Sequence, residues 1–243
     1  MKTAIFSDVH SNLPALEAVL KDIEEKGVSR LVCLGDTVGY NAEPAACLER
    51  VRAVCELVLQ GNHDLACAGE LGVDWFNAVA GAGIAYSKQQ LSEEQKRYLR
   101  ELPLVKSAGG ISYVHASLEE PSEFEYILSG ATALAHFRKQ QTPIAFSGHT
   151  HKPMVWLMDE QGRIGYKEAH ERVSVAEPWK FLVNVGSVGQ NREGRPEACY
   201  VLFDPDARRI EYRRIPYDVK AAQERIVAAG LPEVLALRLQ RGA

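Results

Sequence analysis

The sequence has no concentrated positive charge. Its 243 residues include 28 Lys and Arg against 32 Asp and Glu, which gives a formal net charge of −4. The densest basic stretches, "EQKRYLR" and "DARRIEYRR", alternate with acidic and apolar residues, as is typical of solvated faces. Because no basic patch is present, we expect neither a nucleic-acid polymer nor a membrane surface as a partner.

Paired cysteines and long apolar runs are also missing. None of the five cysteines belongs to a C-x-x-C pair, and such an odd, scattered set is typical of reduced thiols in the cytosol. No apolar run is long enough to cross a bilayer, and "MKTAIFSDVH" turns polar too early for a signal peptide. The sequence therefore predicts a cytoplasmic protein without disulfides or a thiolate-bound metal.

What is present is an alternation of predicted strands and helices, followed by a region rich in strands. Apolar runs predict strands over 3–7, 30–35, 55–61, 110–116 and 143–148, and helical spacing predicts helices over 12–27, 43–54, 73–90, 92–102 and 130–140. The rest predicts a hairpin over 154–169, antiparallel strands over 180–186 and 198–215, and two short helices over 218–240. No linker is visible, so we expect one domain over 1–243, with helices 218–240 packed as part of it.

The predicted strands of the α/β part end in polar side chains. In parallel α/β sheets, ligands bind beyond the carboxyl ends of the strands. Five of the seven histidines lie there, whereas His136 and His170 do not and receive no role. The residues that follow the five strands are Asp8 and His10; Asp36; Asn62, His63 and Asp64; His115; and His149 and His151.

These side chains together predict a metal centre. Singly, each has a structural explanation: an Asp after a strand often caps a helix, a buried His often bonds within the core, and Asn62 could be a turn residue. Gathering them all in one place would be costly without a partner for their polar groups. In an extended chain, residues i and i+2 point the same way, so Asp8 and His10 should converge, as should His149 and His151. Asp, Asn and His donors suit Mn²⁺, Fe or Zn²⁺, and their number suits two ions that share a carboxylate.

At these residues the sequence resembles the calcineurin-like metallophosphoesterase superfamily. The family pattern is D-x-H, G-D, G-N-H-[DE], a lone His and G-H-x-H; here it is "DVH", "GD", "GNHD", "VHA" and "GHTH", in that order. The stretches "SDVHSNLPALEAVL" and "GDTVGYNAEP" further resemble small bacterial YfcE-like or diadenosine-tetraphosphatase-like phosphodiesterases. The resemblance implies an α/β fold: a four-layer α-β-β-α sandwich of two mixed β-sheets.

The resemblance also implies which residues bind the metals. It implies two divalent transition-metal ions, Mn²⁺ foremost, with Fe, Zn²⁺, Ni²⁺ or Co²⁺ as alternatives. Asp36 would bridge them. The remaining ligands would be Asp8, His10 and His151 for one ion, and Asn62, His115 and His149 for the other.

The implied activity is the hydrolysis of a small phosphodiester, nucleotide-like or otherwise. A hydroxide held between the metals would attack phosphorus, and His63 would assist at the phosphate or the leaving group. Asp64 would orient the His63 ring. The implied protein is thus a metal-dependent phosphoric ester hydrolase with a small-molecule substrate.

The chain departs from the family pattern at one point. Protein Ser/Thr phosphatases carry G-D-x-x-D-R-G and G-N-H-E, whereas this chain has "GDTVGYN" and "GNHD" and lacks the Arg that grips phosphate. Arg192 is our candidate to replace that charge, with a solvated loop arginine as the alternative. Asn12 is a second substrate-binding candidate, with capping of the first helix as the alternative.

Two other functions stay open at this point. One is a non-catalytic metal-binding or protein-binding scaffold of the same fold, and the other is a nuclease-type phosphodiesterase. The complete set of ligands together with His63 favours an enzyme over the scaffold, and the short, slightly acidic chain disfavours the nuclease. A homo-oligomer stays open as well.

Overall fold

The computed structural model describes residues 1–169, 171–175 and 178–243. The helices of that part are α1 (Leu13–Glu25), α2 (Pro44–Val54), α3 (Asn62–Cys67), α4 (Ala78–Gln90), α5 (Glu93–Glu101), α6 (Gly130–Lys139), α7 (Val219–Ala228) and α8 (Glu233–Arg241), with short 3₁₀ turns at Val73–Trp75 and Pro121–Glu123. Its strands are β1 (Thr3–Phe6), β2 (Arg30–Cys33), β3 (Leu57–Val58), β4 (Val105–Ala108), β5 (Ile111–Val114), β6 (Ile144–Ser147), β7 (Met154–Met158), β8 (Ile164–Glu168), β9 (Arg172–Ser174), β10 (Lys180–Asn184), β11 (Ala198–Asp204) and β12 (Arg209–Ile215).

The strands form two mixed sheets of six strands each. The first sheet has the order β3-β2-β1-β11-β12-β9, in which β1, β2 and β3 are parallel and β11 is antiparallel to β1. The second has the order β4-β5-β6-β10-β7-β8, in which β5, β6 and β10 are parallel. In the first sheet the parallel strands lie beside the antiparallel β11, and in the second they lie between the antiparallel strands β4 and β7.

Side-chain alternation along the strands builds four layers. On β1, the buried Ala4 and Phe6 pack with residues of α1 and α2, whereas the buried Ile5 between them packs with residues of the other sheet. On the far side, Ala145 of β6 packs with Phe137 of α6. Because successive residues of a strand point to opposite faces, each central strand contributes to two hydrophobic layers. The predicted four-layer α-β-β-α sandwich is confirmed.

The sequence predictions were wrong at several boundaries. The strands expected to line one sheet edge are divided between two sheets, and β10 pairs in parallel with β6 as well as antiparallel with β7. The helix expected over 73–90 begins only at Ala78, because Asn77 caps it by accepting a hydrogen bond from the Ala80 amide. Strands β4 and β9 were not predicted, since each is short and mostly exposed.

The C-terminal helices α7 and α8 pack against α4 and against the loop that follows β2. Ile226 of α7 and Leu235 of α8 share a buried cluster with Tyr40, which follows β2, and with Ala80 of α4. Among the described residues, no helix is long and apolar enough to cross a membrane.

One polar network ties α1 to the first sheet. The Asp22 carboxylate accepts hydrogen bonds from the Tyr200 hydroxyl at 2.7 Å and from Arg213 Nη2 at 2.8 Å. Burial alone would raise the pKa of Asp22, but the bonds from Arg213 and Tyr200 outweigh it and hold that pKa below its ordinary value. The charged form of Asp22 therefore stabilises the folded state.

We expect Asp22→Asn to lower the free energy of unfolding by about 1–3 kcal/mol at pH 7, because it weakens a charge-assisted bond to Arg213. Since the folded pKa lies below the unfolded value of about 3.9, the stabilisation is complete above that value and is lost as pH falls through the folded pKa. Urea unfolding of the wild type and of Asp22→Asn should therefore show a difference in the free energy of unfolding at pH 7, and this difference should become smaller near pH 3. Glu25→Gln, at an exposed position of α1, is the control and should change stability by less than about 0.5 kcal/mol. A difference in the free energy of unfolding that does not change with pH would contradict stabilisation by the charged form of Asp22.

Candidate metal centre

The candidate site lies where the carboxyl ends of the parallel strands of the two sheets meet. Asp8, Asp36 and Asn62 follow β1, β2 and β3 of the first sheet, while His115 and His149 follow β5 and β6 of the second. Backbone bonds join the loops: the Asp8 amide donates to the Gly35 carbonyl at 3.0 Å, and the Gly148 amide donates to the His115 carbonyl at 2.9 Å. The His149 amide crosses between the sheets and donates to the Asp8 carboxylate at 3.0 Å. The polar residues are thus brought together by the packing of two sheets.

The expected reason for this convergence was wrong. Asp8, His10, His149 and His151 are not in extended chain, so the alternation of an extended strand does not aim their side chains. Their φ angles are 56°, 48°, 66° and 60°, and that of Asp36 is 53°, all in the left-handed region. This conformation costs a non-glycine residue about 1–2 kcal/mol. It persists only where surrounding bonds enforce it, and such strain collects at functional sites.

The titratable groups form two clusters that are joined through a third group, which consists of His10, Asp36 and His63. In one, His151 Nε2 lies 3.3 Å from Asp8 Oδ1 and 3.0 Å from His10 Nε2. In the other, His115 Nε2 lies 3.4 Å from Asp36 Oδ2, with His149 in the same group. His10 Nε2 is 3.6 Å from the same Asp36 oxygen, so this carboxylate faces both clusters. The structure thus separates His149 from His151 as the resemblance implied; that each cluster binds an ion stays a prediction.

Hydrogen bonds fix the orientation of three of the rings. The Nδ1 atoms of His10, His115 and His151 lie 3.1, 3.0 and 2.6 Å from the carbonyl oxygens of Val38, Leu34 and Gln190. A carbonyl only accepts, so these Nδ1 atoms carry protons, and the Nε2 atom of each ring presents a lone pair when that ring is neutral. The lone pairs of His10 and His151 then face each other at 3.0 Å, which is favourable only if a cation or a proton lies between them.

Several other polar atoms of the site have no hydrogen-bond partner. His115 Nε2, His149 Nε2 and Asn62 Oδ1 are all buried in this state. A buried polar atom that is left unpaired costs about 1–3 kcal/mol. Imidazole nitrogens with carboxylate and amide oxygens form the donor set that transition-metal ions take. The residues present therefore fit a pair of divalent cations.

The buried charges shift the pKa values of their neighbours. Burial lowers the pKa of His149 to about 3 and that of His63 to about 4. Burial would also lower the pKa of His115, but the Asp36 carboxylate beside it raises that pKa to about 9. In turn, although burial disfavours its charge, His115 and His63 hold the pKa of Asp36 well below its usual value. The two carboxylates, Asp8 and Asp36, thus draw positive charge into the site.

Asp64 does not have the role that we expected. Its carboxylate accepts from the backbone amides of Asp36 at 2.7 Å, Thr37 at 2.9 Å and Gly61 at 3.0 Å, while His63 Nδ1 has no hydrogen-bond partner. Since its oxygens are committed to the backbone, Asp64 does not orient the His63 ring. Burial, and then the nearby Asp36 charge, raise the pKa of Asp64 to about 7.

Other side chains hold His63 in place. Its ring centroid lies 4.7 Å from that of His10, 4.6 Å from that of Tyr40 and 4.9 Å from that of Phe76. Its backbone amide donates to Asp36 Oδ1 at 2.9 Å. His63 is therefore positioned by ring packing and by its own backbone, next to both clusters.

The two predicted substrate contacts lie outside the clusters. Asn12 is buried: its Oδ1 accepts from the Ala15 amide and caps α1, and its Nδ2 donates to the Gly189 carbonyl at 2.9 Å and to the Tyr217 hydroxyl. With both polar atoms bonded within the protein, it has a structural role, and the prediction of a substrate contact is wrong. Arg192 is half-buried: its backbone amide donates to the His151 carbonyl at 3.3 Å, and its side-chain Nη2 lies 3.4 Å from Tyr40 Oη.

Two aromatic residues of the site were not predicted from the sequence. Tyr40 packs against His10 and His63, and Tyr126 stacks on His149 with the ring centroids 4.0 Å apart. Tyr40 stands in the "GDTVGYN" block and could have been found there, but no motif marks Tyr126. The buried His136, which had no assigned role, accepts a bond from the Leu118 amide, and His170 lies outside the described residues.

The chain belongs to the calcineurin-like phosphoesterase superfamily, whose domain model matches residues 1–208. An uncharacterized protein of Methanocaldococcus jannaschii is 37% identical over 98% of this chain and 97% of its own length. The crystal structure of a metallophosphoesterase from Sphaerobacter thermophilus is 38% identical, covers 100% of this chain and 99% of that one, and superposes with a TM-score of 0.87. A hypothetical protein from Pyrococcus horikoshii (22% identity, 100% of this chain, 98% of that one, TM-score 0.75) shares the fold.

We expect Gly61→Ala to weaken divalent-metal binding roughly 10- to 100-fold, the usual effect of disturbing a group beside a ligand. A Cβ at Gly61 would overlap both the carboxylate and the backbone nitrogen of Asp36, so the residue that faces both clusters must move. Calorimetric titration with Mn²⁺ measures the effect, and circular dichroism checks the fold.

Gly81→Ala is the matched control, because a Cβ at this position of α4 has no neighbour within 4 Å. It should leave metal affinity unchanged and add up to about 1 kcal/mol of stability through its helix propensity. A folded Gly61→Ala protein that binds Mn²⁺ as tightly as the wild type would show that Asp36 is not a ligand.

Proposed function

We propose that this protein hydrolyses small phosphodiesters with the help of two divalent cations, Mn²⁺ foremost. The observation that carries the proposal is the pair of buried clusters, Asp8–His10–His151 and Asp36–His115–His149, that share the Asp36 carboxylate. Membership of a phosphoesterase superfamily supports the same chemistry. The 38% identical relative from Sphaerobacter thermophilus, which is named a metallophosphoesterase, supports it as well.

In this proposal Asp8, His10 and His151 hold one cation, and His115, His149 and Asn62 hold the other. Asn62 is included because its Oδ1 is buried beside His63 without a partner. Bound divalent cations would stabilise the negative charge of the phosphoryl group. They would also lower the pKa of a bound water molecule toward neutrality and so supply a hydroxide nucleophile. The five left-handed residues keep these ligands in place before a cation arrives.

His63 acts on the substrate in this proposal. The ring lines the cleft next to Asn62 and His149, whereas its Nδ1 atom is buried beside Gly39. Such a ring can donate a hydrogen bond to a phosphoryl oxygen or pass a proton to the departing oxygen. General acids of this kind contribute roughly 10²–10⁴-fold to the rate.

The charges near the cleft favour a diester over a monoester. A phosphomonoester carries one more negative charge than a diester at neutral pH, and proteins commonly bind that extra charge with Arg. Among the described residues that line the cleft none is Lys or Arg, and the Arg192 side chain, which contacts the Tyr40 hydroxyl, is not part of the lining. With a net charge of −4, the protein is also better suited to a small substrate than to a nucleic-acid polymer. The proposed setting is the cytoplasm, where the five unpaired cysteines would stay reduced.

The direct test is a titration with Mn²⁺ followed by an assay of two substrates. We expect the protein to bind two Mn²⁺ per chain and to hydrolyse bis-p-nitrophenyl phosphate faster than p-nitrophenyl phosphate, with activity lost in chelator and restored by Mn²⁺. Stoichiometric metal binding without hydrolysis of either ester would favour the scaffold instead. Faster cleavage of the monoester would contradict the assignment to diesters.

His63→Ala should keep both metal ions and lower kcat on bis-p-nitrophenyl phosphate by roughly 10²–10⁴-fold. The reason is that the His63 ring lines the cleft, whereas the proposed metal ligands are other side chains. Added imidazole should restore part of the activity, which would not happen if the ring only supported the fold. A variant with the wild-type rate would remove His63 from the mechanism, and loss of one Mn²⁺ would make it a metal ligand.

A further inference from the structure

The cleft beside the metal centre has a composition that the site chemistry does not explain. It has a volume of about 500 Å³, which lies in the usual range for small-molecule sites. One end is formed by Asn62, His63 and His149. The walls come from two separate loops, the one between α3 and α4 and the one between β5 and α6, and each loop contributes two aromatic side chains.

From this cleft we infer that the substrate carries an aromatic ring next to a single phosphoryl group, and that the site selects against further phosphates. The inference rests on the proposed function, because it names the class of phosphodiester that the same site takes. Two independent features carry it: the aromatic walls and the charge at the rim.

Each wall contains a Phe ring that contacts an imidazole of the candidate metal centre and a nearby aromatic ring that is exposed. Phe76 contacts the His63 ring at a centroid distance of 4.9 Å, and the adjacent Trp75 is 62% exposed. On the other wall, the buried Phe124 lies 6.0 Å from the His115 ring, and Tyr126 stacks on His149 while 44% of its surface stays exposed. The aromatic surface therefore begins at the imidazoles of the candidate metal centre and continues outward.

Exposed Trp and Tyr side chains next to a reactive site need an explanation beyond core packing. Phe76 and Phe124 are explained by the imidazoles that they support. Trp75 and Tyr126 instead present ring surface to the cleft, and a ring that stacks on such surface gains affinity worth roughly fivefold to 150-fold. Tyr126 touches His149, a proposed metal ligand. A substrate ring that stacks on Tyr126 would therefore lie close to the phosphoryl group bound at the metal centre, as it does in an ester of a nucleoside or a phenol.

The charge at the rim restricts what else the substrate can carry. Glu123 and Glu125 line the same cleft, both are exposed, and neither forms an ion pair with another described residue. The described lining offers no Lys or Arg to bind a second phosphate. A diphosphate or longer chain would place like charges together, whereas the amino and hydroxyl groups of a nucleoside can donate to these carboxylates.

The experiment measures equilibrium binding to the Mn²⁺-loaded protein at one fixed free Mn²⁺ concentration. Three monophosphates serve as probes: ribose 5-phosphate, phenyl phosphate and adenosine 5′-monophosphate. We expect both aromatic probes to bind more tightly than ribose 5-phosphate, by roughly fivefold to 150-fold for the nucleotide. The nucleotide and phenyl phosphate together distinguish a nucleobase from a simple aryl group. Adenosine 5′-diphosphate should bind no more tightly than the monophosphate.

Matched variants locate the effect. Trp75→Ala and Tyr126→Ala should each remove most of the preference for the nucleotide over ribose 5-phosphate, measured as the ratio of the two affinities in the same variant. Trp179→Ala and Tyr166→Ala, at exposed rings outside this cleft, are the controls and should have no effect. The double variant Glu123→Gln, Glu125→Gln should bind the diphosphate roughly twofold to tenfold more tightly relative to the monophosphate.

The outcomes separate this inference from the proposed function. Hydrolysis of bis-p-nitrophenyl phosphate together with equal affinity for all three monophosphates would overturn the aromatic preference alone. Preferential nucleotide binding that depends on Trp75 and Tyr126, without hydrolysis of any ester, would support the inference and overturn the phosphodiesterase. Equal losses in Trp75→Ala and Trp179→Ala would overturn the assignment of the cleft.

Discussion

The buried Asp64 carboxylate holds together the two loops on which the candidate centre depends. It accepts hydrogen bonds from the Asp36, Thr37 and Gly61 amides and thereby joins the loop after β2 to the loop after β3. Asp36 is the residue that faces both clusters, and the Gly61 amide immediately precedes Asn62 and His63. A shift of Asp64 would therefore move the shared carboxylate and the His63 ring together.

Backbone hydrogen bonds between neighbouring loops explain how the site tolerates its backbone strain. Five of the seven candidate ligands have positive φ angles, which together would cost several kcal/mol in an isolated loop. Here the loop amides are bonded across to neighbouring loops, as from His10 to the Asp36 carbonyl at 2.9 Å and from Gly189 to the Asp8 carbonyl at 2.8 Å. The surrounding fold thus fixes side chains around a group of bare lone pairs and two carboxylates, an arrangement that bound cations would stabilise.

Local patterns predicted the elements well where a single segment carries the whole signal. Asn12 and Pro14 mark the start of α1, and Ser92 with Gln95 forms the predicted capping box of α5. The same reasoning failed for β4 and β9, whose residues are mostly exposed and depend on a neighbouring strand for their pairing. It also overextended α4, because the residues before Asn77 are as apolar as those after it.

The sequence by itself determined the residue types of the site, their order and their placement after five strands, because motif spacing is local. Only the tertiary structure decided that these strands belong to two sheets, and that left-handed turns, rather than extended alternation, aim the side chains. It also decided that Asp64 binds backbone amides while Asn12 caps a helix, and that Tyr126 stacks on His149 from a distant loop. The physical reason is that hydrogen-bond partners and ring contacts depend on which segments meet in space, and no local pattern contains that information.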